Sequence, residues 1–160
     1  MKFSEHKFCL ENEEAKQFIE LLKAYDKTPE WLKANNALWR TISFVPNDRA
    51  ELQGTIPGAT IQIEYKLNKR IQETGKMVLT LHKTVKGVKL RAYQLETNDE
   101  SKVTSHNGNQ EIRGTHEHIG QEVIKLSPLF PIEDITQWFK YFCEKIHLAY
   151  TGEDLQSPQG

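Results

Sequence analysis

Cysteine is scarce in this chain. Cys9 and Cys143 are the only two, and neither has a CxxC partner, which argues against a disulfide scaffold or a cysteine-based zinc site and fits a reducing compartment. Long apolar runs are missing too. No stretch approaches the ~20 apolar residues of a membrane span, and Met1 to Leu10 mixes charges with Phe3 and Phe8 instead of carrying a signal peptide's apolar core. The expected setting is cytoplasmic, with no membrane partner. Nor is there an excess of charge of one sign: the formal net charge is -1, so any polyanion binding has to come from a local patch. No internal repeat or low-complexity tract suggests an array or a linker.

What is present is the material of one folded unit. The 160 residues are 38% hydrophobic and 27% charged, with three Trp and seven Phe supplying apolar area that a disordered chain lacks. The sequence predicts a single α+β domain over 1–150 and a flexible C-terminal tail over 151–160, rich in Gly and Pro.

Asn12 before Glu13 and Glu14 reads as a capped helix start. Ala15, Phe18, Ile19 and Leu22 then repeat at helical spacing, so an amphipathic helix is predicted to run until Asp26 to Pro29. Glu30 to Lys33 reads as a helical turn or an irregular piece, and Leu38 to Val45 as a strand broken by Pro46-Asn47-Asp48. Strands are predicted where Ile61, Ile63, Tyr65 and Leu67 alternate with polar residues, and again from Met77. A turn at Lys86-Gly87 leads into a hairpin partner, Val88 to Thr97. Asn98 to Gln110 is polar and reads as a long exposed loop. Two short strands, Ile112 to Ile119 and Val123 to Leu126, are expected to meet near Gly120. A second helix opens at Glu133-Asp134 and carries Ile132, Ile135, Phe139, Cys143 and Ile146 on one stripe. Strands in succession with polar outer faces predict an antiparallel sheet covered on one side by the N-terminal and C-terminal helices.

The segment Arg113-Gly114-Thr115-His116-Glu117-His118 is where chemistry is expected. On a strand, His116 and His118 project from one face and Glu117 from the other. Such a pair suits two uses. One imidazole can take a proton from a ribose 2′-hydroxyl while the other protonates the leaving 5′-oxygen, with Arg113 holding the phosphate, because imidazole titrates near neutrality. This would be RNA cleavage without a metal, and it needs both rings to open on a hollow that solvent reaches. Alternatively the pair shares a metal ion, with a third ligand from His82, His106 or an acid. The plain alternative is a polar strand face and nothing more. His82, with Thr80 and Thr84, sits on one side of its strand in a His-x-Thr triplet that has no second copy. Tyr65, Tyr93 and Lys89 or Arg91 are expected to share a sheet face and help hold a polyanion, unless that face is merely solvated. Gly114 and Gly120 bracket the pair as turns or as points of close approach to a ligand.

From Ile61 to about Leu148 the layout resembles the TumE family of small toxins from bacterial toxin–antitoxin pairs, and an uncharacterised relative carried by mobile elements. The resemblance rests on a strand around Tyr65, a hairpin from Met77 to Thr97, His106-Asn107-Gly108, Gly114 to Ile119 with its His-x-His pair, and a closing helix with Phe139 to Cys143. Asn107-Gly108 is shorter than the relative's Asn-Pro-Asp-Gly turn, and Glu117 replaces the arginine of the family's His-Arg-His form. The resemblance implies a growth-inhibiting toxin that attacks RNA and is neutralised by a cognate antitoxin.

Residues and resemblance together give a toxin-like ribonuclease with no cofactor or metal. His116 and His118 are its acid and base and Arg113 its phosphate clamp, with His106, Asn107, His82, Arg91 and Tyr93 as substrate-binding residues. The alternative is a non-enzymatic phage or mobile-element protein that inhibits a host defence complex, with acids such as Glu11, Glu13 and Glu14 imitating nucleic acid.

Overall fold

The computed structural model describes residues 8–35, 38–50, 54–67, 76–98, 103–107, 110–127 and 129–158, the side chains of 103–107 and 110 excepted. Among the described residues two helices, α1 (Asn12–Glu20) and α2 (Ile135–Lys145), accompany twelve strands. The strands are β1 (Lys23–Tyr25), β2 (Leu32–Lys33), β3 (Trp39–Phe44), β4 (Asn47–Asp48), β5 (Ala59–Lys66), β6 (Lys76–Val85), β7 (Val88–Thr97), β8 (Val103–Asn107), β9 (Gln110–Arg113), β10 (His116–Ile119), β11 (Glu122–Lys125) and β12 (Leu148–Tyr150). Seven of them form an antiparallel sheet in the order β11-β10-β7-β6-β5-β3-β2. A small sheet, β12-β1-β4, and the β8-β9 pair stand apart.

Period-two alternation gathers the large apolar side chains of the central strands on one face. Ile61 and Ile63 on β5, Met77, Leu79 and Leu81 on β6, and Tyr93 and Leu95 on β7 point to a single face, where they join Phe18 and Ile19 of α1 and Trp138, Phe139 and Phe142 of α2 in one core. This is the predicted α+β architecture. The β6–β7 hairpin turns through Lys86 and Gly87, whose φ angles of 51° and 80° suit a two-residue connection. Between Leu81 and His82 the register slips: Leu81 opposes Tyr93 and His82 opposes Arg91. Ala92 is therefore the extra residue of a bulge, and Arg91 is turned to the face opposite Tyr93.

Helix α2 begins where the sequence predicts, with the Asp134 carboxylate accepting from the Gln137 amide at 3.2 Å. Helix α1 differs at both ends. Its N-cap is Glu11, without a side-chain cap bond. The Asn12 side chain instead holds the β10–β11 turn, accepting from the Gln121 amide at 2.8 Å and donating to Glu122 at 3.2 Å. Gly120, at φ 57°, lies under it, and a Cβ there would stand 2.9 Å from Asn12 Oδ1. The helix stops at Glu20 instead of reaching Asp26, leaving Leu22 exposed. The cause is Lys23, fully buried, whose ammonium donates to the carbonyls of Phe18, Ile19 and Leu21 in α1 and its exit and of Ile146 after α2. A cation suits these carbonyl-rich helix ends, and the chain leaves as β1, parallel to β12.

Other expectations are corrected by long-range contacts. Residues 32–33 pair with β3 as strand β2 and form no helical turn. Within the predicted 98–110 loop, β8 pairs with β9, while 99–102 and 108–109 lie outside the described residues. The tail expected to fray is held over 151–158: Leu155 is buried, its carbonyl accepts from Thr136 at 2.7 Å, and the Gln156 carbonyl accepts from the Trp31 indole at 2.8 Å. No helix among the described residues is long and apolar enough to cross a membrane.

Candidate functional site

Strand β10 is set by its two ends. Gly114, at φ 75°, breaks the chain between β9 and β10. Thr115 then anchors the start, its hydroxyl accepting from the Asn98 amide at 3.2 Å and donating to the Asn98 carbonyl at 3.4 Å. Paired with β7, the strand places His116 opposite Glu96 and His118 opposite Gln94. The two imidazoles share the sheet face away from the helices, with ring centroids 4.9 Å apart and planes at 80°. Glu117 points the other way, as alternation predicts, and accepts from the Tyr93 hydroxyl at 2.6 Å inside the core.

His116 and His118 meet different electrostatic surroundings. His116 Nδ1 lies 3.0 Å from the Gly114 carbonyl, an acceptor that assigns the proton to Nδ1. Its Nε2 faces the Glu96 carboxylate at 3.9 Å, and Lys76 approaches the same oxygen at 3.5 Å. His118 has a pKa lowered to about 3, by burial first and then by the positive charge of Arg91 and the His116 ring. His82, directly across from Arg91, is lowered to about 4 by burial, Lys89 and Arg91. Arg91 is itself buried enough for its proton affinity to fall, while the Cys9 thiol hydrogen-bonds its side chain. Four buried atoms in this group have no hydrogen-bond partner: His82 Nδ1, Arg91 Nε, Glu96 Oε2 and His118 Nδ1. Such orphans are uncommon in cores and mark places that bind or react.

Of the residues singled out from the sequence, His82, Arg91, His116 and His118 thus come to one face. Tyr93 does not. It is buried on the opposite face, because the bulge at Ala92 separates it from Arg91, and simple alternation had put the two together. Tyr65 is likewise on the core side, against Trp31. Arg113 is 52% exposed and pairs with Glu111 at 3.3 Å; the cation whose charge acts on His118 is Arg91. His106 and Asn107 belong to β8, but their side chains lie outside the described residues. Among the described residues no three His, Cys, Asp or Glu side chains converge as metal ligands. Glu96, Lys76 and Gln94 join the group unannounced. The signal for two of them was the polar alternation Gln94, Glu96 along β7.

The expectation of a solvent-reachable hollow between the histidines is corrected. His116 is 1% exposed and His118 is 7% exposed, and at 4.9 Å the rings touch edge to face. Rings in contact leave no room for a phosphate between them. A separate groove of about 390 Å³, lined by Phe130, Lys140, Tyr141 and Tyr150 among others, contains none of the predicted residues. Comparison with protein-family models, curated proteins and solved structures returns no match to the chain.

Proposed function

We propose that this chain is a toxin-type ribonuclease that cleaves RNA without a metal, using His116 and His118. The observation that supports this reading is the gathering of His82, Arg91, His116 and His118 on one sheet face, with the Glu96 carboxylate 3.9 Å from His116 and the charge of Arg91 acting on His118. Two neighbouring titratable groups in unlike surroundings are a usual basis of acid–base division of labour. His118, kept neutral, takes the proton of a ribose 2′-hydroxyl. The freed oxygen attacks phosphorus and the bond to the 5′-oxygen breaks. His116, whose Nε2 faces the Glu96 carboxylate at 3.9 Å, returns a proton to that oxygen. The reading requires the chain around both rings to shift so that RNA reaches them, and the partner it implies is an antitoxin that blocks this face. The test is expression of wild type beside His116→Ala and His118→Ala. Growth arrest and RNA cleavage are expected from wild type alone, and equal arrest by all three removes the catalytic role.

The burial of both rings favours a second reading, a non-enzymatic mobile-element protein that occupies a host defence complex. Exposed Glu11, Glu13 and Glu14, joined through Asn12 to Glu122, then supply a surface imitating nucleic acid. A stable, stoichiometric host complex that survives loss of both histidines is the outcome that selects it.

A further inference from the structure

We propose that His82 on β6, Arg91 on β7 and His118 on β10 form a binding site for a tetrahedral oxyanion, a phosphate group, on the outer face of the sheet. The inference deepens the ribonuclease reading by naming what the face holds, yet it does not require that anything be cleaved there.

Three buried nitrogens without partners carry the argument: His82 Nδ1, Arg91 Nε and His118 Nδ1. Each unmet buried polar group costs about 1–3 kcal/mol, and with both imidazoles protonated on Nδ1 a ligand carrying several acceptor oxygens is the kind that can satisfy all three. Arg91 is the link between them. It lies across from His82 in the strand register, and its charge acts on both imidazoles. The bulge at Ala92 is what brings it to this face, so the backbone irregularity and the unpaired donors have a common location.

The surroundings suit an anion. Lys89, exposed on β7, adds a second positive charge beside His82. Apart from Arg91 itself, the cross-strand neighbours of the two imidazoles are uncharged: Thr60 on β5 opposes His82, while Gln94 on β7 and Val123 on β11 oppose His118. The nearby carboxylate, Glu96, is engaged by Lys76 at 3.5 Å and faces His116. His82 and Arg91 are half-buried, whereas His118 is the innermost of the three, at 7% exposed. A neutral imidazole donates one N–H and a guanidinium donates in a fixed fork, a combination that matches phosphate oxygens. Burial and then Lys89 and Arg91 lower the proton affinity of His82, while burial and then Arg91 and the His116 ring lower that of His118; a bound anion opposes the part due to positive charge.

The test follows the histidine ring signals of the full chain by ¹H–¹³C NMR during titration with inorganic phosphate, then with a short oligoribonucleotide, at constant ionic strength set by chloride. The signals of His82 and His118 are expected to move together and saturably with phosphate. Arg91→Gln should weaken binding at least ~10-fold, as loss of a charge-assisted hydrogen bond does. Lys89→Gln should weaken it by roughly two- to fivefold. Should Arg91→Gln fail to fold, Lys89→Gln and His82→Gln carry the comparison. Tighter binding of the oligoribonucleotide identifies an RNA backbone as the source of the phosphate, and tighter binding of phosphate identifies a small phosphorylated ligand. Saturable binding without RNA cleavage keeps the site and removes the ribonuclease. The site is overturned if phosphate moves neither ring, if chloride alone reproduces the shifts, or if folded Arg91→Gln binds as wild type does.

Discussion

The Tyr93 hydroxyl donates to Glu117 Oε2 at 2.6 Å across two neighbouring strands, on the face of β10 opposite the histidines. This short bond to a carboxylate is of the stronger kind. Burial first, and then the charge of Glu117, raises the Tyr93 pKa far above that of an ordinary phenol, so the hydroxyl stays a donor. Tyr141 of α2 is also raised, by burial and then by Glu117, which puts the carboxylate between a sheet tyrosine and a helix tyrosine. Glu117 therefore serves the core and cannot contact RNA from this position.

Tyr93→Phe removes the donor and leaves the carboxylate buried. Urea unfolding should show a loss of about 1–3 kcal/mol, the range for an orphaned buried polar group. Glu117→Gln, which keeps an acceptor oxygen at the same place, should lose less. Equal stability of wild type and Tyr93→Phe would mean that the bond contributes nothing to folding.

Lys23 offers a larger effect. Burial and the nearby charge of Arg49 pull its pKa down to about 7, against the pull of the carbonyls that surround the ammonium. Lys23→Met keeps the length of the side chain and strips the hydrogen bonds from Phe18, Ile19, Leu21 and Ile146. A loss of roughly 3 kcal/mol or more is expected, because several buried acceptors are orphaned at once. Amide exchange should accelerate first at the ends of both helices, where these carbonyls lie. Faster exchange confined to one helix would contradict the joint role.

The two lowered imidazoles make stability depend on pH. His82 and His118 titrate in the fold at about 4 and about 3, against 6.5 in the unfolded chain. Between those values the unfolded state binds more protons, so stability is complete above pH 6.5 and falls as pH drops towards 4. Near pH 5 the single contribution of His118 approaches a slope of about 1.4 kcal/mol per pH unit. The urea midpoint should decline over this interval, and His118→Asn should flatten the decline. An unchanged slope in that variant would show that His118 is protonated in the folded protein.

Local pattern made much of this molecule legible. The apolar stripe from Ile135 to Ile146 specified α2, and Lys86-Gly87 specified the hairpin. The spacing of His116 and His118 fixed their common face and set Glu117 on the other. These features depend on periods of 3.6 and 2, which any window of sequence contains. Where a long-range contact outweighed the local signal, the reading ran out. Leu22 continues the stripe of α1, but Lys23 closes the helix because the carbonyl of Ile146, far along the chain, comes within 2.7 Å.

The sequence by itself determined an antiparallel sheet with two helices packed on its apolar face and the side on which each β10 residue stands, since alternation is a property of consecutive residues. Tertiary structure alone decided that Arg91 parts from Tyr93, that 151–158 is pinned to Trp31 and Thr136, and that the histidines are covered. A bulge depends on the register of a partner strand, and burial depends on what packs above. Both are relations between distant segments, and no run of neighbouring residues encodes them.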